Sequence, residues 1–390
     1  MAGFVKRLAA YRHGRKWRFH VYRSSRVACS LLVFLGAVSV SIASAETQGL
    51  KSIPPDSGIG AMPERELVNT PVPLVQKGRL DIETRSGDFK LPVAVSRDWT
   101  KPQDDVTRAV IVIPGWPRRD LRSGEHAAEV AGAAARTTVI VTPQFLTARD
   151  VTAHNLADNV LRWGEDDWKV GNLSQDTAAI SSFQVVDEIF HRLADRAIFP
   201  NLNTIVLAGH SAGGQFVQRY AVLGRGESDL GDARVHVRYV VANPATYLYL
   251  TDERPDSNGD FAPFNAASCR AFNRWSYGLQ AGIPAYSPRP GSIDELKTRY
   301  LRRDIIYLLG TADNAPDGDG QDQSCAAEAQ GASRYARGQA FDAYVHILDP
   351  HTTQRVYEAR GIGHSSYRMF SSLCGQAALF DKPGCDSASE

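Results

Sequence analysis

Apolar residues cluster in short runs along this chain, and the segments between them carry helical periodicity or polar turns. Strand-like runs fall at residues 80–84, 91–96, 109–114, 138–142, 204–209, 235–243, 304–310 and 354–359. The fifth, Thr204-Ile205-Val206-Leu207-Ala208, has the pattern of a buried strand. Helical spacing is clearest at 177–197, where Ile180, Phe183, Val186, Ile189, Phe190 and Leu193 share one face. A second helix-like segment, 215–223, follows the fifth strand. Strands alternating with helices predict an α/β domain, a mostly parallel sheet of about eight strands flanked by helices.

Three stretches interrupt that alternation and read as insertions. Residues 147–176 carry Trp163 and Trp168, and 245–290 are dense in rings, among them Tyr247, Tyr249, Phe272 and Trp275. A third, 314–350, is needed because the last two strands lie too far apart for a bare connection. Ordinary packing accounts for most of these aromatics.

The beginning of the chain adds a targeting signal. The first 28 residues carry eight of the 44 Lys and Arg and none of the 43 Asp and Glu. An apolar core, Leu31 to Val38, and the small residues Ala43-Ser44-Ala45 follow, as a signal peptidase site requires. The apolar stretch falls short of the ~20 residues that span a bilayer, so residues 1–45 are expected to be a signal peptide cleaved after Ala45. An uncleaved anchor is the alternative. Residues 46–77, with prolines at 54, 55, 63, 71 and 73, read as an extended leader, and 78–390 as the α/β domain that carries the three insertions.

Cleavage moves the formal charge from +1 to −7, since all eight lost charges are basic. A mildly acidic exported protein has no electrostatic reason to bind nucleic acid or an anionic membrane. Four cysteines remain, Cys269, Cys325, Cys374 and Cys385. In a secreted or periplasmic compartment an even count suggests two disulfides. Cys374 with Cys385 would staple the tail, and Cys269 with Cys325 would tie two insertions. The alternative is four free thiols.

The chemistry is concentrated at three strand ends. Gly209-His210-Ser211-Ala212-Gly213 joins the fifth strand to a helix, which makes Ser211 a nucleophile candidate on a tight turn. The seventh strand ends in Gly310-Thr311-Ala312-Asp313, and the eighth leads into Gly361-Ile362-Gly363-His364-Ser365. Serine, acid and histidine in that order, each after a strand, resemble the α/β-hydrolase superfamily over about residues 78–381. The resemblance implies an α/β-hydrolase fold whose first strand pair is antiparallel, with a cap between the sixth and seventh strands. It also implies a serine esterase or lipase-like activity, with Ser211 as nucleophile, His364 as base and Asp313 as acid. The oxyanion donors would be Ala212 and, in Pro114-Gly115-Trp116-Pro117, Trp116, because Pro117 has no N–H. This loop replaces the family's His-Gly version. Trp116 and Tyr247 are the candidate substrate-facing rings.

The chemistry of such a triad needs no cofactor or metal, and a small-molecule or polymeric ester is the expected substrate. A peptidase or amidase would use the same residues, and a non-catalytic binding protein is the remaining alternative. Asp317 and Asp319 stand close enough in sequence to replace Asp313. The acidic run 313–320 fails the calcium-loop pattern at Ala315 and Ser324, so it reads as a solvated turn, as does 252–260.

Overall fold

The computed structural model divides the chain into two units, Met1–Gly58 and Ile59–Glu390. It describes residues 70–76, 78–231, 235–286, 291–318 and 320–385, all in the second unit. The expected signal peptide, most of the 46–77 leader and Asp319 lie outside the described residues.

Eight strands form one sheet: β1 (Arg79–Thr84), β2 (Gly87–Val95), β3 (Arg108–Ile113), β4 (Thr138–Pro143), β5 (Thr204–His210), β6 (His236–Ala242), β7 (Asp304–Gly310) and β8 (Arg355–Ala359). Their order is β1-β2-β4-β3-β5-β6-β7-β8. The β1–β2 and β2–β4 pairs are antiparallel, and every pair from β4 to β8 is parallel. All eight expected strands are present, with ends shifted by one residue at most sites and by four at the start of β2.

Period-two alternation assigns the strand residues to two cores. Ala109, Ile111 and Ile113 face one cluster, and Val110 and Val112 face the other. The first cluster is closed by α2 (Ser182–Ala194), α3 (Ala212–Leu223), α4 (Ile293–Leu301) and α5 (Arg334–Leu348). The second is closed by α1 (Ser123–Ala131), α6 (Ser366–Ser371) and α7 (Leu373–Phe380). Both faces of the parallel part are therefore covered, as its apolar runs require. Helix α2 starts later than its periodicity suggests because Ser181 caps it, accepting from the Phe183 N–H at 3.1 Å.

The insertions are tied down rather than loose. Trp163 and Trp168 are fully buried against Phe145, and Trp168 stacks over Phe216 of α3. Trp275 Nε1 in the second insertion donates to the Val170 carbonyl in the first (2.8 Å). Cys269–Cys325 and Cys374–Cys385 are both disulfides, in the expected pairing. The 314–350 segment contains α5, which packs on the same core face as β7. Residues 70–76, the end of the expected leader, are pinned: Val72 N donates to Asp150 Oδ1 (2.9 Å) and Val75 N to Gln144 Oε1 (3.0 Å). The 252–260 stretch is the turn of a small hairpin whose Asp256 carboxylate accepts two backbone N–H groups. Among the described residues no helix is long and apolar enough to cross a membrane.

Candidate active site

Four loops leave the carboxyl ends of β3, β5, β7 and β8, and they meet at Ser211. Backbone bonds lace the strand ends together: Ser211 N donates to the Ala242 carbonyl (2.9 Å), and Ala312 N to the Ile362 carbonyl (3.0 Å). Asn243, buried just past β6, accepts from Gly310 N–H at 2.8 Å. Each candidate side chain therefore stands close to a laced strand end.

Ser211 sits between β5 and α3 with φ +58° and ψ −122°. That region is costly for a side-chain-bearing residue, about 1–3 kcal/mol, and it is held here by close packing on both sides. A Cβ on Gly213 would stand 2.1 Å from the Ile113 carbonyl oxygen, and one on Gly209 would stand 2.3 Å from the Gly213 oxygen. Only glycine fits at either position. The turn directs Ser211 Oγ to His364 Nε2 at 2.9 Å, and His364 Nδ1 lies 2.7 Å from Asp313 Oδ2. The Nδ1 nitrogen carries the proton when the carboxylate is ionised, which leaves Nε2 free to accept.

The Asp313 carboxylate is buried, and burial pushes its pKa up. The hydrogen bond and charge of His364, with the charge of Arg334, outweigh that and hold it below the ordinary value. Arg334, at the start of α5 and itself buried, donates from Nη1 to Asp313 Oδ1 at 3.2 Å. His210 packs beneath, its ring 4.5 Å from that of His364. Burial, then the nearby His364 and Arg334, drive its pKa well down, so it is a neutral ring under the turn.

The β3 loop closes the other side. A Cβ on Gly115 would lie 3.1 Å from the His210 carbonyl oxygen and 3.5 Å from Ser211 Cβ, so the loop passes directly beside the turn. Trp116, Ser211 and Ala212 line one cavity of about 280 Å³, together with Glu165, Asp166, Lys169, Gln215, Ala245, Gly320 and Arg334. The Ala212 N–H opens α3 and has no partner within the helix, so the helix dipole and that donor both favour an anion at Ser211.

Five of the six expected site residues, Ser211, Asp313, His364, Trp116 and Ala212, are thus brought together. Tyr247 is not: it has no exposed surface, and its ring stacks on Phe341 at 4.6 Å. Ala245, two residues earlier, reaches the cavity, but Tyr247 packs onto Phe341 of α5 and belongs to the core. Asp317 is exposed and makes no contact with His364, which leaves Asp313 as the acid in contact. Sequence reading missed Arg334, Glu165, Asp166, Lys169 and Gln215. Gln215 alone carried a usable signal, standing four residues after Ser211 on the same helix face. Among the described residues no group of three His, Cys, Asp or Glu could hold a metal ion.

No family model matches the chain, and no curated protein matches it. Solved structures do. A poly(3-hydroxybutyrate) depolymerase from Bordetella parapertussis is similar at 21% identity and TM-score 0.53, over 80% of this chain and 93% of that one. Poly(aspartic acid) hydrolase-1 from Sphingomonas sp. KT-1 is similar at 22% identity and TM-score 0.50, over 75% of this chain and 94% of that one. The mostly parallel eight-stranded sheet with flanking helices is the α/β-hydrolase fold.

Proposed function

We propose that this chain is an exported serine hydrolase that cleaves carboxylic esters through an acyl-enzyme on Ser211. The observation that carries this reading is the continuous hydrogen-bonded line from Ser211 Oγ through His364 to Asp313. His364 Nε2 takes the hydroxyl proton as Oγ attacks the ester carbonyl, and Asp313 stabilises the imidazolium that forms. The oxyanion is met by the N–H groups of Ala212 and Trp116. Collapse expels the alcohol, protonated by His364; water activated by the same nitrogen then releases the acid and restores Ser211. Serine, imidazole and carboxylate supply all of this chemistry without a cofactor.

The names of the similar structures, one for a polyester and one for a polyamide, support hydrolysis as the reaction type and leave the choice between ester and amide to assay, with small and polymeric esters tried first. The two disulfides support an oxidising compartment, in keeping with cleavage after Ala45. Wild type and Ser211→Ala should be compared on p-nitrophenyl esters and matched p-nitroanilides. The reading expects ester turnover that vanishes in the variant. Anilide turnover at a similar rate would move the protein to the amidases, and silence on both would leave a binding protein on this fold.

A further inference from the structure

The cavity beside Ser211 presents charge where an alkyl chain would need carbon. Glu165, Asp166, Lys169, Gln215 and Arg334 make up half of its described lining, and Trp116, Ala212 and Ala245 are the apolar contributors. Glu165 and Gln215 are held from behind, and Lys169 is paired along the wall with the exposed Asp166. Glu165 accepts from Arg118 Nη2 (3.0 Å), Lys169 pairs with Asp166, and Gln215 Nε2 donates to Thr246 Oγ1 (2.7 Å). Arg219, one turn beyond Gln215 on α3 and fully buried, donates to the Lys169 carbonyl (3.1 Å) and to Thr246 Oγ1 (3.3 Å). Methylenes in this space would strip water from ion pairs and return no hydrogen bonds. In an apolar slot each methylene would instead gain about fourfold in binding.

The direction of the substrate follows from the proton. The leaving alcohol has to face His364 Nε2, which returns the proton to it. His364 is absent from the cavity lining, whereas Ala212 and Trp116, on the oxyanion side, are part of it. The cavity therefore faces the acyl half of the ester.

We infer that this cavity is an acyl site for short or hydrogen-bonding acyl groups, and that plain alkyl chains of medium length bind it poorly. The inference rests on Ser211 being the nucleophile. Its test compares p-nitrophenyl heptanoate with p-nitrophenyl 4-acetamidobutyrate, whose chain has the same number of atoms but carries an amide. The expected kcat/KM for the acetamido ester is at least tenfold above that for heptanoate. In Lys169→Met that ratio should shrink towards one. Heptanoate equal or better, with kcat/KM rising about fourfold per methylene from acetate, overturns the inference. An unchanged ratio in Lys169→Met does so as well. Acetate turnover that is lost in Ser211→Ala shows that the serine reading survives such a result, and silence on all three esters in wild type removes both.

Discussion

Replacing Arg118 with Met would take the cation away from a buried carboxylate behind the Trp116 loop. Arg118 follows Pro117 at φ +71° and is almost fully buried. Its Nη1 donates to Asp150 Oδ2 at 2.5 Å and to the Phe145 carbonyl at 3.2 Å. Asp150 has no exposed surface and also accepts from Val72 N, Thr147 N and the Thr147 hydroxyl. Breaking a buried pair from one side costs about 3–5 kcal/mol, because the other charge stays buried. Met keeps most of the aliphatic stem and three hydrogen bonds to Asp150 survive, so the loss should sit near the lower end, about 3 kcal/mol. Urea unfolding at pH 7 measures it, and a loss under about 1 kcal/mol would refute the reasoning.

The pH dependence is a sharper check. Burial pushes the Asp150 carboxyl up, but bonds from Val72, Thr147 and Arg118 hold it below the ordinary value. A depressed carboxylate contributes stability that is present above its unfolded value, about 3.9, and is lost as pH falls through its lower folded value. Arg118 acts on the ionised form. The gap between wild type and Arg118→Met should therefore be full at neutral pH and narrow in acid. A gap that ignores pH would mean that Arg118 contributes packing instead of charge.

Other outcomes are equally open to measurement. Asp313→Asn should lower kcat by about four orders of magnitude by favouring the wrong His364 tautomer, while Asp317→Asn stays near wild type; the reverse ranking would reassign the acid. Tyr247→Phe removes a buried hydroxyl that has no hydrogen-bond partner among the described residues, so melting temperature should hold or rise and KM should not move. A several-fold KM change there would return Tyr247 to the substrate. Unreduced intact mass should be about four hydrogens below the reduced form, and equal masses would leave the thiols free.

The frame of the fold is legible in the chain because a parallel sheet covered on both faces needs apolar runs such as Val110–Ile113 and Ile205–Ala208. The order of Ser211, Asp313 and His364 is legible because Ser211 and Asp313 stand just past such runs and His364 follows the last, edge strand β8. What stayed hidden depends on side-chain direction or on long-range charge. Ring content at 245–290 does not say that Tyr247 points inward onto Phe341. Helix α5 escaped notice because its buried face begins with Arg334, Arg337 and Gly338 before reaching Phe341, Tyr344 and Val345, so its apolar periodicity is broken. The same break concealed Arg334 as the partner of Asp313. Arg118, Asp150 and Glu165 sit in three separate segments, and no local spacing links them.

The central claim, that Ser211 is an activated nucleophile, is tested most directly by fluorophosphonate labelling followed by peptide mapping of wild type and Ser211→Ala. The account predicts one adduct, on Ser211, formed in the folded wild type and absent from the variant. An adduct on another residue, or a folded wild-type protein that takes no label, would contradict it.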